Sequence, residues 1–173
     1  MAPGVPRMLE AADLAVFRAL RLEALTQSPA SFLSSTAEEQ GASDEDVLRH
    51  LTGARPAGVF GLHAGEMLIG MAGFAMNSRR KQIHRGVLWG VYVRPDWRGR
   101  GVARQVVEAA IRQARDHVEL LDATVTAANH AARALYRSLG FRECGLIERS
   151  LLIDGVYHDD VMIVLDFKAE SGV

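Results

Sequence analysis

Apolar positions along this chain recur with two periods, and the changes between them divide it into elements. Pro6 to Leu9 suits a short edge strand. Leu14, Phe17, Leu20, Leu22 and Leu25 then fall close to helical spacing and predict an amphipathic helix over Ala11 to Thr26, ended by Gln27-Ser28-Pro29. The stretch to Gln40 reads as a loop or short helix. Ser43 is a good N-cap for a helix over Asp44 to Leu51, whose acids at 44 to 46 suit a helix start. Gly58 to His63 and Met67 to Met76 are short apolar runs flanking a turn at Ala64-Gly65-Glu66. Val87 to Val93 is an apolar strand closed by Arg94-Pro95, because proline cannot extend a ladder. Alternation places Trp89 and Val91 on one face of it and Leu88, Gly90 and Tyr92 on the other, so Trp89, Tyr92 and Phe74 are expected in a central sheet rather than in an aromatic cage.

Val102, Val106, Val107, Ala110, Ile111 and Ala114 return to helical spacing. Leu120 to Val125 is a further strand, and Asn129 to Leu139 a helix with Gly140 at its C-terminal cap. Ile147 to Ile153 and Tyr157 to Phe167 flank Asp154-Gly155, the strongest hairpin signal in the chain. The predicted order is strand, two helices, three strands, helix, strand, helix, hairpin. Neither a repeat nor a low-complexity linker interrupts it, so residues 1–173 are expected to form a single domain.

Composition narrows the class. With 49% hydrophobic and 24% charged residues the chain has the balance of a soluble globular protein. A formal charge of -1 offers no global attraction to nucleic acid or to an anionic membrane, so an anion site must come from local arginines. The one cysteine, Cys144, excludes an intrachain disulfide and reads as a small buried hydrophobe. No apolar run from Met1 to Glu10 has signal length and none elsewhere approaches a membrane span, so a reducing cytoplasm is the expected compartment. Six histidines without ligand spacing predict no metal, and His158-Asp159-Asp160 reads as a polar hairpin edge. Arg79-Arg80-Lys81 reads as a solvated loop.

The most informative segment is Val91-Tyr92-Val93-Arg94-Pro95-Asp96-Trp97-Arg98-Gly99-Arg100-Gly101-Val102-Ala103, a strand running through a bare turn into a helix. A helix start presents unpaired N–H groups and partial positive charge, so such a turn can wrap a phosphate, with Arg98, Arg100 and Arg104 adding charge. Position 104 is not the third glycine of a dinucleotide fingerprint, and no G-K-[ST] follows for a P-loop. Arg98-x-x-Gly101-x-Ala103 resembles instead the Q/R-x-x-G-x-G/A signature of the GNAT superfamily of acyl-CoA-dependent N-acetyltransferases. The stretch from Val125 to Phe141, with Asn129, Ala132, Leu135, Tyr136 and Gly140, is similar to that family's V-x-x-x-N-x-x-A-x-x-L-Y-x-x-x-G-F. Without the family, Asn129 is an N-cap and Tyr136 a packing residue.

The resemblance implies an α+β (α/β) fold, a central mixed, mostly antiparallel sheet flanked by helices, whose central parallel strands splay to admit the pantetheine arm of acetyl-CoA. It implies cofactor contacts at Val91, Tyr92, Val93, Arg98, Gly99, Arg100, Gly101, Val102, Ala103, Arg104, Asn129, Ala132 and Tyr136, with the Val93 N–H as oxyanion donor and Tyr136 as the acid that protonates the departing thiolate. The implied activity is transfer of acetyl to a primary amine of a small molecule or peptide by direct attack, in a monomer or homodimer without nucleic-acid or membrane partners. A non-catalytic acetyl-CoA-binding regulatory module is the alternative, kept open because Leu88 to Val93 contains no carboxylate base. His84, His158 and a water relay through backbone carbonyls and Tyr92 are the open choices for that base, each histidine also reading as a surface or turn residue. The acceptor is expected to lie against Gln27 to Gln40 and Asp154 to Asp159, with Phe32 and Tyr157 in its lining.

Overall fold

The computed structural model describes residues 3–53 and 55–169, so Met1 and Ala2 of the N-terminal segment lie outside the described residues. The elements, in order, are β1 (Arg7–Met8), α1 (Leu14–Gln27), α2 (Thr36–Gly41), α3 (Asp44–Thr52), β2 (Gly58–Ala64), β3 (Met67–Met76), β4 (Arg85–Val93), α4 (Val102–Arg115), β5 (Leu120–Thr126), α5 (His130–Ser138), β6 (Arg142–Ile153) and β7 (Val156–Asp166). Three α-helices therefore precede β2 among the described residues, one more than the predicted order counts, because the stretch to Gln40 that reads as a loop or short helix contains one. The extra one, α2, is started by a capping box in which the Ser35 hydroxyl accepts the Glu38 N–H while the Glu38 carboxylate accepts the Ser35 N–H. Ser43 caps α3 as expected, accepting the Asp46 N–H at 3.1 Å.

The strands form one seven-stranded sheet in the order β1-β2-β3-β4-β5-β7-β6. Every neighbouring pair is antiparallel except β4 and β5. One face carries the apolar stripe of α4, where Val102, Val106, Val107 and Ala110 pack on Leu62, Ile69, Leu88 and Leu121. The other face is covered by α1 and α3, with Phe17, Leu20, Val47 and Leu51 packed against Val59, Leu68, Met71 and Tyr92. Among the described residues no helix is long and apolar enough to cross a membrane.

Strict alternation in β4 fails at one residue. Met71 faces Tyr92 and Gly73 faces Trp89, so two steps along β3 span three along β4, and Gly90 adopts a left-handed φ of 61°. This bulge resets the phase: Trp89 and Tyr92 share the α1 face, while Leu88, Val91 and Val93 pack on the α4 side. Phe74 lies on the α4 side as well, so the three aromatics form no cage.

The residue that makes room for Trp89 is Gly73 across the ladder, where a Cβ would lie 2.2 Å from the indole ring; at Gly90 the nearest atom is 3.9 Å away. Trp89 is held by His50 edge-on at 4.6 Å and by the Arg21 guanidinium at 5.9 Å. Gly73→Ala is accordingly expected to destabilise the fold by about 1–3 kcal/mol through overpacking. At this length each kcal/mol lowers Tm by about 2–4 °C. Gly41→Ala, at a site with nothing within 4 Å, serves as the control. Equal thermal unfolding of the two variants would contradict the packing argument.

Candidate active site

The parallel pair β4 and β5 is short. Arg85, Gly86 and Val87 face Leu120, Leu121 and Asp122, and beyond them the strands part. Gly90 contributes to the divergence because its bulge turns β4 away from its former line. The resulting fork holds a cavity of about 620 Å³ between Leu88–Val93 on one side and Ala123–Thr126 on the other, with the start of α4, the start of α5 and Ser28 to Leu33 around it. Of the thirteen residues that the sequence nominates, twelve line this cavity. Arg100 does not: its guanidinium lies over the Trp97 ring at 5.3 Å.

The start of α4 owes its geometry to glycine. Gly99 and Gly101 have φ of 71° and 78°, a region costly to other residues, and Gly101 is the N-cap without any side-chain cap. The first N–H satisfied within the helix is that of Gln105, bonded to the Gly101 carbonyl at 3.1 Å. The N–H groups of Val102, Ala103 and Arg104 are left facing out with the positive end of the helix dipole. Arg98 is already oriented, its Nε donating to the Val93 carbonyl at 3.1 Å and its guanidinium stacked 5.6 Å from the Tyr92 ring centroid. Arg104 is braced by Glu108 and Ser138.

The same hydrogen bonds settle which way Val93 points. Arg94 donates its N–H to the Ile69 carbonyl on β3 at 3.0 Å. Backbone groups alternate along a strand, so the Val93 N–H and C=O turn away from β3 and into the fork. The carbonyl is taken by Arg98, leaving the N–H as a donor toward the cavity.

On the opposite wall, Asn129 is the N-cap of α5, its Oδ1 accepting the Ala132 N–H at 3.1 Å. Its amide donors are not used by that bond. Tyr136 is only 7% exposed and packs edge-on against Phe141 at 5.5 Å. Its hydroxyl makes no hydrogen bond among the described residues, yet no fully buried side-chain oxygen among them is unpartnered, so the hydroxyl opens onto the cavity it lines. Burial pushes this phenol well above its ordinary value, which keeps it a proton donor.

Several expectations are corrected. His84 and His158 do not line the cavity; His84 sits at the closed end of the fork, its carbonyl bonded to the Glu119 and Leu120 N–H groups. Tyr157 is 58% exposed and lies under the Arg149 guanidinium, because the hairpin tip projects past the sheet; Phe32 does reach the cavity. Cys144 is exposed rather than buried, being the extra residue of a bulge between Glu143 and Gly145 on the edge strand β6. Asp160 is no polar edge residue but 5% exposed and part of the cavity wall.

Two acids escaped the sequence reading. Besides Asp160, Glu23 on α1 accepts the Tyr92 hydroxyl at 3.2 Å and pairs with Arg94 at 2.7 Å, though it does not itself line the cavity. Burial first, and Glu23 second, raise the Tyr92 phenol above its usual value.

Known proteins are similar to this chain in sequence and in fold. The chain is 35% identical over 95 residues to the N-alpha-acetyltransferase RimI of Mycobacterium tuberculosis, covering 55% of this chain and 58% of the relative. It is 33% identical over 100 residues to the ribosomal protein uS5-alanine N-acetyltransferase of Escherichia coli, covering 57% and 50%. The matched stretch thus spans about half the length of these curated relatives. In fold it is similar to an acetyltransferase of the GNAT family from Streptococcus pneumoniae (TM-score 0.81, 21% identity, 94% of this chain and 98% of that one). It is equally similar to yncA of Salmonella typhimurium, solved with its cofactor acetyl-CoA (TM-score 0.81, 21% identity, 96% and 95%). The profile of the Acetyltransferase (GNAT) family matches residues 20–141, well over half of the sequence, and the chain belongs to that family.

Proposed function

We propose that this chain is an N-acetyltransferase moving the acetyl group of acetyl-CoA to a primary amine by direct attack, and that residues 1–173 act as one catalytic domain. The observation that carries it is the fork between β4 and β5, which opens at one end onto the N-terminus of α4, where no side chain serves as cap, and holds in the same cavity the Tyr136 hydroxyl, which has no hydrogen-bond partner among the described residues.

In this reading the amides of Val102, Ala103 and Arg104, with Arg98 and Arg104, hold the pyrophosphate. Val91 and Val93 run beside the pantetheine arm as a neighbouring strand would, and the amide of Asn129 reaches it from α5 beside Ala132. Acetyl-CoA supplies an activated acetyl thioester. The Val93 N–H, fixed by its strand and not by a mobile side chain, donates to the carbonyl oxygen as negative charge builds there. Tyr136 donates its proton to the sulfur as the C–S bond breaks.

The acceptor we favour is a peptide α-amine, since the relatives matched in sequence are named for that chemistry. Thiol release from acetyl-CoA, measured across peptides with free N-termini and small primary amines, tests the reading. Acetylated product from at least one amine is expected. Tight acetyl-CoA binding with no transfer to any of them would instead make the chain a binding module.

A further inference from the structure

Asp160 is the one carboxylate among the described residues that line the cavity. Its neighbours Val161 and Ile163 pack in the α4-side core, so strand alternation turns Asp160 to the other face of the sheet. It stands there beside Thr126, its partner across the β5–β7 ladder, whose hydroxyl is bonded to the Ala30 carbonyl. Asp160 is therefore on the face opposite α4, with Phe32, Leu33, Trp89 and Leu151 in the same wall.

The hairpin is built to hold it. Strand β6 bulges between Ile147 and Leu151, with Arg149 at a left-handed φ of 52°. The two adjacent aspartates divide the work: Asp159 accepts the Arg149 N–H at 2.8 Å and pins the bulge, while Ser150, delivered by that bulge, donates its hydroxyl to Asp160 Oδ2 at 2.7 Å. Asp160 Oδ1 makes no hydrogen bond among the described residues. Since none of their fully buried side-chain oxygens lacks a partner, this oxygen opens onto the cavity.

A carboxylate that is 5% exposed and meets no cation among the described residues is costly unless something in the cavity compensates it. We propose that Asp160 is the acceptor-binding carboxylate, taking the ammonium group of a primary amine carried on a short apolar body, with Ser150 as its positioning residue. The inference rests on the acetyl-transfer reading above. The role is recognition: a carboxylate holds an amine in its charged form, so Asp160 governs acceptor affinity and leaves the chemical step to other groups.

Calorimetry with the CoA-loaded protein and two probes tests this: Ala-Leu-Phe amide, which carries the ammonium, and propanoyl-Leu-Phe amide, which differs by lacking it. Wild type is expected to bind the charged probe at least roughly tenfold more tightly, as for a charge-assisted hydrogen bond in a poorly solvated site. Asp160→Asn, which keeps an acceptor for Ser150, should abolish that preference without changing affinity for the propanoyl probe or for CoA. Ser150→Ala should narrow it. A preference retained in Asp160→Asn, an equal loss of both probes, or no preference in wild type would each overturn the proposal. If Asp160→Asn does not fold, the Asp160 carboxyl carbon of ¹³C-labelled wild type provides the readout, expected to shift with the charged probe and not with the propanoyl one. Because these are binding measurements, a failure to detect acetyl transfer would sink the catalytic reading and leave this result to stand by itself.

Discussion

Gly101→Glu should weaken acetyl-CoA binding at least a hundredfold, equivalent to about 2.7 kcal/mol. Two effects act together. The backbone at 101 has φ 78°, where a side chain costs about 1–2 kcal/mol, so the first turn of α4 is strained in the variant. No heavy atom lies within 4 Å of the position a Cβ would take, and Gly101 lines the cavity, so the added carboxylate is expected to enter the space proposed for the pyrophosphate. There it occupies the positive end of the helix dipole in place of the phosphates and repels the ligand. Gly101→Ala carries the strain without the charge and is expected to lose roughly tenfold or less. Calorimetric titration with CoA on folded protein separates the two. Unchanged affinity in the glutamate variant would move the phosphate site away from α4.

The second large effect is on turnover. Tyr136→Phe is expected to lower kcat about tenfold to a hundredfold while leaving acetyl-CoA affinity nearly unchanged. The hydroxyl makes no hydrogen bond among the described residues, so its removal leaves no orphaned partner there, and the ring keeps its packing against Phe141. The proton it carries matters only as charge develops on sulfur, which places the loss in the transition state. The effect falls toward the low side of general-acid catalysis because a thiolate of pKa near 8.5 is already a fair leaving group. Burial raises the phenol above its usual value near 10, so Tyr136 stays protonated across the working range and its titration should not appear as a fall in kcat below about pH 10. Single-turnover kinetics, in which chemistry limits the rate, is the deciding measurement. An unaltered single-turnover rate would make Tyr136 a core residue, and a large loss of acetyl-CoA affinity at normal kcat would make it a cofactor contact.

Much of this protein is legible in one dimension because its determinants are local. The apolar stripe from Val102 to Ala114 specifies α4 and the face it buries, and Ser43 starts α3 through a bond to its own third helical residue. Asp154 and Gly155, at φ 49° and 79°, form the turn that sets β6 against β7. The glycines and arginines at 98 to 104 mark a helix start suited to an anion for the same reason, since the N–H groups concerned belong to consecutive residues. Twelve of the nominated residues gather in one cavity because the two motifs sit at the ends of adjacent strands.

What only the tertiary structure decided depends on partners distant in sequence. A glycine inside an apolar strand can mark a bulge, and only the pairing with β3 shows that Gly90 shifts the phase of β4, moving Tyr92 onto the same face as Trp89. Gly73 is required by an indole sixteen residues away. Cys144, small and apolar by type, is exposed because β6 is the last strand of the sheet and bulges there. Asp160, charged by type, is buried because Ser150 and the fork come to it from other strands. Glu23 reaches Tyr92 across 69 residues of chain. Periodicity and capping record the energetics of neighbours along the backbone, so they specify elements; the burial of a single charge or thiol is set by which elements pack across it, and that sum exists only in the folded chain.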